Sequence, residues 1–198
     1  MFADRIEVLG HVINDEGIRA APEKIAKIED WDTPRTKTQL QRFLGLVNYI
    51  SQFLPHHASI TAPLTDLTGS AEFVWTTTHD QAFANVKALI ETNEVMKPIS
   101  DNNTDPIWLV TDASEIGVGS WVGQGPSPET ARPAALHSRK FTTAQMNYGT
   151  TDKEAVAIID ALGTFAHILL GREFTIITDH QPLSYLIKAK EQSRKQMG

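Results

Sequence analysis

Two stretches, Ile107-Trp108-Leu109-Val110-Thr111-Asp112-Ala113-Ser114 and Phe174-Thr175-Ile176-Ile177-Thr178-Asp179-His180, decide the fold. Each is a short run of β-branched, aromatic and other apolar residues that ends on an aspartate, the pattern of a buried strand running out into a loop. An acid directly after such a strand stands where a sheet opens to a cleft. If the two strands are neighbours, Asp112 and Asp179 lie side by side. Between them, an apolar periodicity from about Thr151 to Leu170 predicts a long helix stopped by Gly171, with Glu154 in its first turn. A helix packed across the sheet can bring Glu154 to the same point.

Three gathered carboxylates repel one another unless cations sit between them. Magnesium prefers oxygen ligands and keeps several waters. Two such ions about 4 Å apart activate a water and stabilise the leaving oxygen of a phosphodiester. Each acid also has a plainer reading. An aspartate after a strand is often a turn former, and a glutamate in the first helical turn favours the helix dipole.

Working outward, the third segment reads as β-β-β-α-β-α. Val118 to Gln124 forms a second strand, entered through Gly117 and Gly119, and a third lies near Pro133 to Ser138. Pro182 to Ile187 begins a last helix, before a modest basic tail of Lys188, Lys190, Arg194 and Lys195. Upstream, Pro98 and the polar run Ser100 to Asp105 mark a boundary. The connector before it, from Gly69, carries a short extended run at Phe73-Val74-Trp75. Its helix from His79 to Glu91 has Phe83, Val86, Leu89 and Ile90 on one face.

The first segment opens with an alternation from Ile6 to Ile13, a turn at Asn14-Asp15-Glu16-Gly17, then Ile18, which together predict a β-hairpin. A helix starts at Pro22, with Ile25, Ile28 and Trp31 on its face. Thr36 and Gln39 have capping-box spacing. Leu40, Phe43, Leu44, Val47, Ile50 and Leu54 then recur at helical steps until Pro55, and Ile60, Leu64 and Leu67 suggest a third helix. Trp31, Trp75, Trp108 and Trp121 read as core. His56 and His57 read as solvated, since two adjacent histidines without other ligands make a poor metal site.

Composition sets the limits. The chain has 198 residues, 41% hydrophobic and 21% charged, which suits one large domain or two small ones with ordinary cores. The absence of cysteine rules out disulfides and thiolate chemistry. No apolar run approaches the roughly 20 residues of a membrane span, so no membrane partner is expected and an intracellular protein is the default. The net charge of −6 argues against gripping nucleic acid by a bulk positive field. Basic residues lining one groove remain compatible with it.

The motifs resemble those of a known family. Thr111-Asp112-Ala113-Ser114 with Gly117-Val118-Gly119 and Gln124 is similar to a signature of retrotransposon ribonuclease H. So are His137-Ser138-Arg139-Lys140-Phe141 with Asn147-Tyr148 and Asp152-Lys153-Glu154, and Thr178-Asp179-His180-Gln181-Pro182-Leu183, in matching order and spacing. Leu9 to Ile13, Gly17-Ile18 and Pro22 to Ile25 resemble the end of a polymerase palm running into the thumb. Phe43 to Tyr49, with Phe53 and Pro63-Leu64, resembles the thumb itself, and Phe73-Val74-Trp75 with Ala82 to Lys87 the connection. Essentially the whole chain looks like a piece of the reverse transcriptase and ribonuclease H polyprotein of a Gypsy-class LTR retrotransposon.

That resemblance implies an α+β chain. A palm-end hairpin and helical thumb occupy residues 1–68 and a connection 69–105. A ribonuclease H-like mixed β-sheet with flanking helices occupies 106–198. It implies a metal-dependent endonuclease in which Asp112, Glu154 and Asp179 hold two Mg²⁺ or Mn²⁺ ions and hydrolyse RNA in an RNA–DNA hybrid. Ser114, Arg139 and Tyr148 would support the site or touch substrate, and Arg42 on the thumb helix could contact a duplex backbone. His180 would stand beside a ligand or pack at the site's edge. His11 would contact a primer or be a surface histidine. Other partners would be the rest of the polyprotein or a second copy of the chain, in the cytoplasm, the nucleus or a virus-like particle. Without paired polymerase aspartates, no DNA synthesis is expected. Family members continue with another strand, a helix and a fourth acid. Here the sole acid after Asp179 is Glu191, at too short a spacing. The domain is therefore expected to be truncated at its C-terminus, to hold its second metal weakly and to expose apolar surface. The alternative is a non-catalytic nucleic-acid-binding or protein-interaction module of the same ancestry. A scaffold role fits less well, because there are no repeats or heptads.

Overall fold

The computed structural model describes residues 5–8, 10–70, 72–91 and 95–178. The chain starts as an antiparallel meander of β1 (Arg5–Val8), β2 (His11–Asn14) and β3 (Gly17–Ala20). The predicted hairpin is thus three strands rather than two. The alternation from Ile6 to Ile13 hides a reversal at Gly10, whose φ of 71° suits a residue without Cβ.

Helices follow. In α1 (Pro22–Glu29), proline occupies the first turn, where its missing N–H costs nothing. In α2 (Lys37–Tyr49), the Thr36 hydroxyl accepts from the Gln39 N–H at 3.2 Å. The Gln39 carboxamide reaches back one residue beyond the cap, accepting from the Arg35 N–H at 2.8 Å. The helix does not run on to Pro55: it ends at Tyr49 and a 3₁₀ turn spans Ser51–Phe53. Ile50, Phe53 and Leu54 are nevertheless buried, so periodicity reported burial correctly and helix length incorrectly. Next come α3 (His57–Asp66) and α4 (Thr77–Glu91). Residues 72–76, around Phe73-Val74-Trp75, lie outside regular structure. One core joins α1 to α4, with Phe43 between Trp31 and Phe83 at ring separations of 6.0 and 4.7 Å. It extends to Met96, so the predicted thumb and connection share a single apolar interior.

The second sheet is built from β4 (Ile107–Ala113), β5 (Gly117–Gln124), β6 (Arg132–Lys140) and β7 (Thr175–Thr178), in the order β6-β5-β4-β7. β4 pairs antiparallel with β5 and parallel with β7. The architecture is α+β with a mixed sheet. Between β6 and β7 run α5 (Thr143–Met146), α6 (Thr150–Thr164) and α7 (Ala166–Leu169). The single long helix expected here breaks at Phe165, a buried ring that anchors the break in the core. Leu109, Val122, Ala161, Phe165 and Leu169 form the core between sheet and helices.

The opposite face of the sheet meets the helical part. Leu136 packs on the N-terminal core, and Lys140 pairs with Asp66 of α3 at 2.6 Å. The Lys97 N–H donates to the Pro133 carbonyl at 2.8 Å. At the boundary loop, the Gln124 carboxamide accepts from the Ser100 N–H and donates to the carbonyls of Ser100, Asn103 and Asp105. Among the described residues, no helix is long and apolar enough to cross a membrane. The expected helix from Pro182 and the basic tail lie outside the described residues.

Candidate functional site

Strand alternation sorts the polar residues of the sheet onto its two faces. Thr111 pairs with Ser120, Ser120 with His137 and Thr111 with Thr178, which makes one rung across all four strands. This rung lies on the face carrying Leu109, under α6. At one end, the Thr178 hydroxyl reaches the Glu154 carboxylate at 3.4 Å. At the other, His137 bonds Asp160 of α6 at 2.8 Å. Glu154 is only 2% exposed, the most buried of the charged side chains in this layer. It lies in the second turn of α6, whose first-turn acid is Asp152. The helix-dipole account therefore applies to Asp152.

Asp112 lies inside β4 rather than after it, and is exposed. Its rung is Asp112–Gly119–Ser138, on the face away from α6. Asp112 and Glu154 thus occupy the same end of the sheet but approach it from opposite faces. Asp179 lies outside the described residues. It follows Thr178, the partner of Thr111, just as Asp112 follows Thr111. Among the described residues, no three acidic or histidine side chains stand close enough to hold a metal.

Of the other expected residues, Ser114 is engaged in the β4–β5 turn. Its hydroxyl accepts from the N–H groups of Ile116 and Gly117 at 3.3 and 3.1 Å. It also borders a cavity of about 80 Å³ together with Asp112. Arg139 donates to Asp160 at 2.7 Å and to Gln145 at 3.1 Å, so it braces β6 against α6 and α5. Tyr148 is exposed, before α6. Arg42 is exposed on α2 and lines neither cavity at Asp112.

His56 is exposed as expected, whereas His57 departs from expectation. His57 is buried, with Nδ1 2.9 Å from the Ser138 hydroxyl, which also accepts from the Ala58 N–H at 3.0 Å. Burial, aided by the neighbouring His137, holds its pKa down to about 4 against a hydrogen bond with the Leu54 backbone. The ring is therefore neutral at pH 7 and hydrogen-bonded through Nδ1 to the Ser138 hydroxyl. His56 adopts φ 52°, the one left-handed residue other than glycine among those described. A Cβ on Gly119 would lie 2.5 Å from its Nδ1. Nothing in the adjacency of two histidines distinguishes the buried ring from the exposed one. The signal lay in Ser138 and Gly119, which leave room for them.

The comparisons agree with this architecture. Residues 102–198 match the family described as the RNase H-like domain found in reverse transcriptase. The Tf2-3 and Tf2-4 transposon polyproteins of Schizosaccharomyces pombe are each 33% identical over 182 residues, covering 90% of this chain. The chain spans 14% of the length of these relatives. Among solved structures, the foamy viral protease-reverse transcriptase in complex with dsDNA has a TM-score of 0.79 at 22% identity, over 95% of this chain and 39% of that one. The same enzyme in complex with RNA/DNA hybrid has a TM-score of 0.73 at 24% identity, over 91% of this chain and 25% of that one. These structures share the fold. Residues 102–198 are an RNase H-like domain of the kind found in reverse transcriptase, in a chain similar to part of the Tf2 transposon polyproteins.

Proposed function

We propose that the chain hydrolyses the RNA strand of RNA–DNA hybrids during reverse transcription by a Gypsy-class retrotransposon. The observation that carries this reading is the junction of β4 and β7. The two strands run parallel with Thr111 opposite Thr178, the Glu154 carboxylate is buried against that pair, and the next residues in sequence are Asp112 and Asp179. A buried carboxylate at the end of two strands, with an aspartate next in sequence on each strand, offers the oxygen donors that a divalent cation would take.

The donor set suits Mg²⁺ or Mn²⁺, since Asp112 and Glu154 offer only oxygen and the remaining acid, Asp179, does too. These three residues would hold two ions, which when bound supply an activated water and charge stabilisation at the phosphate. Glu154 is fixed by α6, itself braced through Asp160 by His137 and Arg139. Asp112 is open to an incoming strand. The segments 1–68, 69–105 and 106–198 correspond in this reading to palm end and thumb, connection, and nuclease. Its setting is intracellular, within a longer polyprotein. The hybrid and duplex bound by the foamy viral enzyme are the partners it points to.

The test is a labelled RNA–DNA hybrid incubated with the full chain and Mg²⁺, Mn²⁺ or chelator. RNA cleavage that needs the ion and disappears in Asp112→Asn and Glu154→Gln is the expected result. Cleavage unchanged in both variants would refute the assignment. Hybrid binding without cleavage would favour the non-catalytic binding module.

A further inference from the structure

The rung Asp112–Gly119–Ser138 crosses three strands on the face away from α6. Two consecutive residues from the helical part lie on it. His57 is bonded to Ser138, and His56 sits over Gly119, directly beside Asp112 in the rung. His56 and Asp112 together border two small cavities, of about 120 and 80 Å³. His56 is exposed, and its ring makes no hydrogen bond to another described residue.

Two local features hold the ring there. The left-handed backbone at His56 is costly for a residue with a Cβ, and such outliers persist where the surroundings over-determine them. Here His57, locked to Ser138, fixes the next position of the chain. Glycine at position 119 leaves the ring its place, since a Cβ there would lie 2.5 Å from Nδ1 and 2.8 Å from Cε1 and push the ring aside.

An exposed carboxylate repels a phosphodiester unless donors stand near it. Of the residues bordering the two cavities, His56 is the ionisable nitrogen donor; the others are Asp112, serines, glycines and mainly apolar side chains. We propose that His56 is a substrate-contacting residue of the Asp112 site, its imidazole N–H donating to a phosphate oxygen of the bound nucleic acid. The helical part would thereby supply part of a site otherwise built on the sheet. This rests on the reading that nucleic acid is bound at Asp112.

The test measures two quantities on the full chain: affinity for a fluorescent RNA–DNA hybrid in Ca²⁺, and cleavage in Mg²⁺. His56→Gly removes the ring while keeping the left-handed backbone, and should weaken hybrid binding roughly tenfold, as expected for one charge-assisted hydrogen bond. Gly119→Ala should do the same by displacing the ring. Combined with His56→Gly it should add nothing, the signature of two changes acting on one contact. His56→Asn, which tolerates the left-handed backbone and retains a donor, should recover part of the affinity. Wild-type affinity in His56→Gly overturns the proposal, whether or not the chain cleaves. Weakened binding in His56→Gly with no wild-type cleavage retains the contact and removes the nuclease reading. Absence of both hybrid binding and cleavage in the wild type overturns both.

Discussion

Lowering the pH from 8 to 5 is expected to cost the folded chain about 2 kcal/mol through His57 alone. Burial between α3 and β6 lowers the pKa of this imidazole from 6.5 to about 4. The folded value lies below the unfolded one, so the unfolded chain takes up the proton more readily. The contribution is complete above pH 6.5, falls as the pH drops from there towards 4, and is constant below. Over the whole interval it amounts to about 3 kcal/mol, of which about 2 are lost by pH 5. Desolvation makes up most of the cost of charging the ring, and repulsion from His137 adds to it, against the opposing hydrogen bond with the Leu54 backbone. The assay is reversible urea unfolding of the wild type and His57→Gln at both pH values. With a slope of about 2 kcal/mol/M, the wild-type midpoint should fall about 1 M further than that of the variant. Equal shifts in the two proteins would refute the argument, since all other titrating groups are common to both.

Phe43→Ala should destabilise by about 3–5 kcal/mol in the same assay, because the ring is fully buried between Trp31 and Phe83. Thr36→Ala removes the hydroxyl that caps α2 and should cost about 1 kcal/mol. Asp160→Ala leaves His137 and Arg139 without their shared acceptor; a loss of about 1–2 kcal/mol is expected, together with slower RNA cleavage as α6 loosens around Glu154. Gln124→Ala should increase proteolytic cutting within Ser100–Asp105, measured by limited digestion, since one carboxamide makes four hydrogen bonds to that loop.

The elements that periodicity revealed were those with one clear apolar face. The faces of α1, α2 and α4 were legible, as were β4 and β5 with their glycine entry. The misreadings have a common cause. Burial continued through Ile50, Phe53 and Leu54, and again through Phe165 and Leu169, so the apolar rhythm ran past the backbone breaks at Tyr49 and Thr164. Apolar spacing registers what faces the core, and a 3₁₀ turn or a helix break can keep that orientation. At the candidate site, the chain order of Asp112 and Glu154 was legible. Their approach from opposite faces was not, because it depends on the register of β4 against α6. Arg139 and Ser114 were expected to support the site or touch substrate; a sequence shows the polar side chain but not the Asp160 or the turn that engages it.

The seam along β6 bears on how the chain can be handled in pieces. Ser100–Asp105 is the natural place to divide it, polar and rich in turn formers. A fragment beginning there would keep β6 yet lose the Lys97 backbone bond, the apolar cover of Leu136, the His57 partner of Ser138 and the Asp66 partner of Lys140. Its edge strand β6 would then stand beside a bare apolar face, the combination that drives self-association. Expression of the RNase H-like half alone should give material that aggregates, and soluble work requires the helical half as its built-in chaperone.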